Sequence, residues 1–228
     1  MITSNQLLEK PTTELLSDFG AGRASPGSGS AAALMGLLAC RMIVTVCLKT
    51  LEKPEHTKDT NTFNYIKDHV LEVIEPKLKE LFEKDAKDFE EVVRLRKQRD
   101  FTTDQNTKSQ LSRQANDLLE VATNNSFEII DQCFKLVEHG IVVFNSGWQA
   151  VRGDSGAAIS AGIAGVTSGI FITNLNLKAL KDRKFASDKI LRCTEIYNEL
   201  TQKQARAFEC VTSLNTEAIS AIQLELIQ

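Results

Sequence analysis

SGAAISAGIAGVTSGIFITNLNL, residues 155–177, holds no charged residue, and how it is read decides the architecture. It is long enough to cross a bilayer. However, Gly, Ala, Ser, Thr and Asn dominate over Leu and Val, and no basic cluster or aromatic belt flanks both ends. A buried helix fits that composition better. Small residues at Ala157, Ala161, Gly165 and Gly169 recur every four positions, so a second helix can approach the stripe almost to backbone contact. Residues 30–50 form a companion stretch, interrupted only by Arg41 and Lys49. Helices apolar on all sides must be covered on all sides, which places this pair at the centre of a bundle. A second copy of the chain is expected to complete the cover, giving a homodimer.

The rest of the chain supplies the wrapping. All four prolines (Pro11, Pro26, Pro54, Pro76) fall in the first third, leaving long stretches free for uninterrupted helices. Over residues 57–99, Phe63, Ile66, Val70, Ile74, Leu78, Leu81, Phe82 and Phe89 keep three-and-four spacing, with a break or kink expected near Pro76. A second amphipathic run covers residues 110–139, with Gly140 as its expected stop. A third runs from residue 186 to the C-terminus. Only Ile141 to Phe144 offers a β-branched run, and no partner strand is evident. With no repeat and no low-complexity linker, residues 1–228 read as a single all-α domain.

Composition narrows the function. A net charge of −3 with mixed signs gives no basic stripe for a nucleic-acid backbone. Five scattered cysteines without a CxxC pair, and an N-terminus without an apolar core, point to a reducing cytoplasm rather than secretion. His56 in a polar loop and His69 and His139 on helices read as satisfied or solvated side chains. They provide material neither for a zinc site nor for a Ser-His-Asp triad, so no metal is expected.

Two loops could hold chemistry. Residues 20–30, GAGRASPGSGS, form the one glycine-rich loop and lead into the first apolar helix, whose free N–H groups suit an anion. The plainer account is a flexible connection with Ser30 as the helix N-cap. Gly153-Asp154-Ser155-Gly156 precedes the second apolar helix. Asp154 is either that helix's N-cap or, with Arg152 beside it at the mouth of the core, a proton carrier.

Taken together, these loops resemble the cyclodeaminase/cyclohydrolase family of formiminotransferase-cyclodeaminase-like folate enzymes. Pro26-Gly27-Ser28-Gly29-Ser30 running into Ala31-Ala32-Ala33 is similar to the family's glycine-rich start of a small-residue helix. Asp85-Ala86-Lys87-Asp88-Phe89 resembles its acid followed four residues on by an aromatic. Gly153-Asp154, Ala157-Ala158 and Asn176-Leu177 resemble its second signature. Departures lie inside each match: Ser28 replaces a glycine, Gly153 a serine and Ile172 an asparagine, while prolines expected at Arg96 and near Asn125 are missing.

The resemblance implies an all-helical homodimer with folate sites near the subunit interface, and chemistry at the amidine carbon of tetrahydrofolate derivatives. Either 5-formiminotetrahydrofolate is closed to the 5,10-methenyl form with loss of ammonia, or the methenyl ring is opened by water. Neither reaction requires a metal or redox cofactor. By the same resemblance, Asp154 is the proton carrier, while Gly27, Ser28, Gly29, Ser30, Asp85 and Asn176 bind substrate. Two alternatives stand beside this: a divergent member acting on a non-folate amidine or imine, and a non-catalytic helical homo-oligomer that binds without turnover.

Overall fold

The structure, a computed structural model, describes residues 6–225 apart from the side chains of residues 56–58, 224 and 225. The expectations for the first five residues and for the His56 side chain therefore lie outside the described residues. In chain order the helices are α1 (Thr12–Phe19), α2 (Ser28–Leu51), α3 (Thr60–His69), α4 (Glu75–Phe101), α5 (Gln105–Ser146), α6 (Arg152–Ala179) and α7 (Lys184–Glu225). Among the described residues there is no strand, so the all-α reading stands, and the Ile141 to Phe144 run is helical.

Local sequence explains most boundaries. Asp104 caps α5 with its carboxylate, which accepts from the Thr107 amide at 2.7 Å, and this bond holds its carboxyl below the usual range. Pro76 cannot donate an amide hydrogen, and its ring crowds the preceding turn. The chain absorbs both effects in a π turn, Val70–Ile74, so α3 and α4 form one long rod with a single irregular turn. Gly140 does not stop α5, which runs six residues further to Ser146. Instead the missing side chain makes room for a neighbour, because a Cβ there would lie 2.8 Å from Ile159 Cγ1.

The bundle centre is a meeting of three helices, since α6 packs along both α5 and α2. A Cβ on Gly162 would come 2.9 Å from Val137, one on Gly165 would come 2.6 Å from the Cys133 thiol, and one on Gly169 would come 2.5 Å from Ile130. The small-residue seam is therefore Ala158, Gly162, Gly165 and Gly169, all buried; Ala157, expected to belong to it, faces outward. These pairings make α6 antiparallel to α5. The Thr50 hydroxyl accepts from the Trp148 amide at 3.0 Å, so the C-terminal ends of α2 and α5 lie together. Lys53 beside this junction sits 3.8 Å over the Trp148 ring. α4 runs antiparallel to α2, with Arg41 paired to the buried Glu75 and Gly36 set against Leu78. α7 crosses α6 and α5.

By length and hydropathy alone α2 and α6 could each cross a membrane. Within one copy, only 50% of the apolar window of α2 and 44% of that of α6 is buried, so the wrapping expected from the long amphipathic helices is one-sided.

The seam makes a direct prediction. Gly165→Ala should lower stability by about 1–3 kcal/mol through overpacking against Cys133 and the Ala32 carbonyl. Gly156→Ala on the same helix meets nothing within 4 Å and should raise stability by about 1 kcal/mol through helix propensity. Denaturant titration of the two variants provides the check.

Candidate functional site

α2 begins without a side-chain cap, since its first residue follows Gly27, which has none to offer. The anion that its open N–H groups invite comes from α4. The Ser30 hydroxyl donates to Asp85 Oδ2 at 3.1 Å and also lies 3.3 Å from the Phe82 carbonyl, while the Ser30 backbone amide supports the same carboxyl. Gly29 is required here, because a Cβ would sit 2.1 Å from Asp85 Oδ1. Ser30 is thus the third residue of the helix rather than its cap, and the cradle read in the glycine-rich loop is occupied by the chain's own carboxyl group. Asp85 is 5% exposed. Burial is the largest influence and pushes its pKa above the usual carboxylate range; the Ser30 hydrogen bonds act downward and the charge of Asp88 upward.

Further polar groups gather at this end of the bundle. One turn along α4, Asp88 accepts from Asn125 Nδ2 of α5 at 3.1 Å, and Asn125 is buried. The C-terminal half of α6 points the same way, since Gly165 packs against Ala32, Ser168 against Met35 and Gly169 against Ser126. It brings buried Thr173, whose hydroxyl has no partner, and buried Asn176. Asn125, Asp88 and Thr173 are not among the site residues expected from the sequence. Asn125 left one usable sign, a polar residue within the apolar face of α5 between Ala122 and Ile129.

Outside Asp85 opens a cleft of about 1190 Å³ between the glycine-rich loop and α4. Pro26 and Ala86, the chain neighbours of Gly27 and Asp85, line its wall. The loop turns at Gly22, whose φ of 68° suits glycine. Lys87, Arg94 and Lys97 face the cleft from α4, and Arg23 faces it from the loop. Asp18 is held by Lys10 and Arg23, and Glu83 accepts from the Leu8 amide at 2.9 Å, so these two carboxylates are already engaged.

The structure thus brings Gly27, Ser28, Gly29, Ser30 and Asp85 together, with Asn176 at the same end, and it sets Asp154 apart. Asp154 lies in the first turn of α6 with no capping hydrogen bond, so it is not the N-cap. Twenty-two residues of helix, about 33 Å, separate it from Asn176 within one chain. Its neighbour Arg152 turns to Glu217 of α7 at 2.7 Å and lies over the Phe144 ring. Among the described residues no group of three or more His, Cys, Asp and Glu side chains could hold a metal ion. All five cysteines are buried free thiols, and burial pushes those of Cys47 and Cys133 up to about 12.

Comparison with known proteins agrees with the all-helical fold. The family pattern described as formiminotransferase-cyclodeaminase matches residues 11–195. The methenyltetrahydrofolate cyclohydrolase of Methylorubrum extorquens is 23% identical over 192 residues, covering 83% of this chain and 89% of that protein. The crystal structure of formiminotetrahydrofolate cyclodeaminase from Thermotoga maritima superposes with a TM-score of 0.77 at 17% identity. That alignment covers 91% of this chain and 98% of the other. The distal part of α7 lies beyond the family match.

The state of Asp85 has a measurable consequence. A carboxyl whose folded pKa is raised binds its proton more tightly in the folded state, so its ionised form weakens the fold near neutrality and the penalty fades as pH falls. Asp85→Asn is therefore expected to melt higher than wild type at pH 7, with the gap closing toward pH 4. Thermal unfolding across that range is the test.

Proposed function

Because the chain belongs to the formiminotransferase-cyclodeaminase family over residues 11–195, we propose that it acts on the one-carbon unit of a tetrahydrofolate derivative, with Asp85 beside the reacting carbon. It would either close a 5-formimino group to the 5,10-methenyl ring with loss of ammonia, or open that ring with water. Each course passes through a tetrahedral carbon between two nitrogens. The carbon is an amidine or amidinium already open to attack, so the principal need is a group that moves protons next to it.

The observation that carries this reading is a buried carboxyl held toward its protonated form at a helix N-terminus, behind the wall of a cleft of substrate size. In ring closure such an acid gives its proton to the departing amine; in ring opening its ionised form takes one from the attacking water. The cations Lys87 and Lys97 suit the carboxylate end of a folate, with Arg94 beside them already held by Glu91, and Asn176 and Thr173 offer polar groups for its pterin. The folate is the substrate, no resident cofactor enters, and the cytoplasm is the compartment this chemistry implies.

Asp154 enters the same reading through a second copy. Gly153, Ala157, Ser160, Phe171 and Leu175 of α6 are exposed, and no charge lies on the helix between Asp154 and Lys178. Two such faces laid antiparallel in a homodimer would set Asp154 of one copy against Lys178 and the Asn176 end of the other. The two carboxyls, Asp85 and Asp154, would then serve one shared site.

Purified protein should accelerate the loss of 5,10-methenyltetrahydrofolate absorbance or release ammonia from the 5-formimino substrate, and Asp85→Asn should lower kcat by about 10²–10⁴-fold. Turnover of neither substrate would overturn the folate reading. Light scattering is expected to give twice the chain mass of 25.2 kDa, and a monomer would remove the shared site. Mixing inactive Asp85→Asn and Asp154→Asn chains should restore about a quarter of wild-type activity, since half of random dimers are mixed and each then holds one intact site.

A further inference from the structure

Away from the cleft, two of the three histidines meet. His69 is the last residue of α3, immediately before the π turn, and its Nδ1 lies 2.9 Å from Nε2 of His139 on α5. The ring centroids are 5.1 Å apart and the planes are nearly perpendicular, at 88°. Tyr65, one turn earlier on α3, stacks on His69 at 5.6 Å and meets His139 edge-on at 6.3 Å. Both rings are half-buried.

A hydrogen bond between two imidazoles needs one nitrogen to donate and the other to accept. It survives when both rings are neutral or when one carries an extra proton; with both rings charged, two donors face each other and the contact repels. The surroundings add to this. Lys135, one turn before His139, places its positive charge near both rings. Glu138 is the opposing charge, but Lys203 at 2.5 Å and Arg206 at 2.6 Å, both from α7, already hold it. On α3, Asp68 pairs with Lys67 at 3.3 Å, and Glu72 on the following π turn is exposed. Among the described residues no α2 charge acts on either ring.

We propose that His69 and His139 form a proton-operated latch that fastens the C-terminal end of α3 to α5, closed while the pair holds at most one extra proton and released when both rings are charged. The released piece is α3 with its connection from α2; the π turn and Pro76 form the joint on which it opens, and α4 with Asp85 lies beyond that joint. Burial, then the charge of His69, lowers the His139 pKa from 6.5 to about 4, and burial also lowers that of His69. For a base with a depressed folded pKa, the stabilisation is complete above the unfolded value. It is lost as pH falls from about 6.5 toward 4.

The test is amide hydrogen exchange from pH 7.5 to 5, corrected for intrinsic rates, in wild type, His69→Gln and His139→Gln. In wild type the opening of α3 amides is expected to rise up to roughly tenfold per pH unit below 6.5, well ahead of α6 amides. Both glutamine variants remove a titrating ring and should flatten that rise, and either one suffices if the other does not fold. Equal opening of α3 and α6 with falling pH, or a wild-type rise persisting in the variants, would overturn the latch.

Discussion

Three helices meet at Cys133, and they can do so only because the residues facing it, Gly36 and Gly165, carry no side chain. A Cβ on Gly36 would lie 3.0 Å from the thiol and one on Gly165 would lie 2.6 Å from it. With α2, α5 and α6 this close, backbone atoms take part in the core packing, and a methyl group has nowhere to go. The approach also fixes direction. It sets α6 antiparallel to α5, brings the start of α2 against the middle of α4, and so determines which polar residues share an end of the bundle.

α4 carries two buried carboxyls on one helix, and the fold treats them differently. Glu75, 3% exposed, is met by Arg41 from α2 and by Lys79 at 2.5 Å, so its charge is matched. Asp85, 5% exposed, receives only the Ser30 hydroxyl and amide, with the negative Asp88 one turn away. A group left without a cation where a neighbouring one was given two holds its proton easily, which is the property the proposed role of Asp85 calls for.

The sequence made the class of fold legible because an uncharged helix-length run has few places to go, and because proline-free periodic runs leave little but long helices. It also showed which loop adjoins the site, since glycine and serine ahead of an apolar helix have a mechanical meaning. What it hid was phase and distance. Ala157 and Ala158 are neighbours in sequence, but only the second is buried, and no one-dimensional stripe marks which side the core will take. Gly140 looked like a stop because a glycine that ends a helix and one that admits Ile159 are the same letter. Asp154 and Asn176 belong to one sequence signature, yet a rigid helix holds them a bundle length apart within one chain. Asp85 and Ser30, far apart in sequence, touch.

The irregular turn before Pro76 also makes the site a matter of counting. Asp85 reaches Gly29 and Ser30 from a rod that starts at Thr60 and is also held to the core by Phe63, Ile66 and Val70. Each residue of helix turns its successor by about 100°. The π turn at Val70–Ile74 already takes up one residue more than an α-helical turn, so a further insertion there would rotate the downstream half off its partners while keeping both halves helical. A change of length in a loop leaves Asp85 where it is, whereas the number of residues in this turn decides which face of α4 meets Gly29 and Ser30.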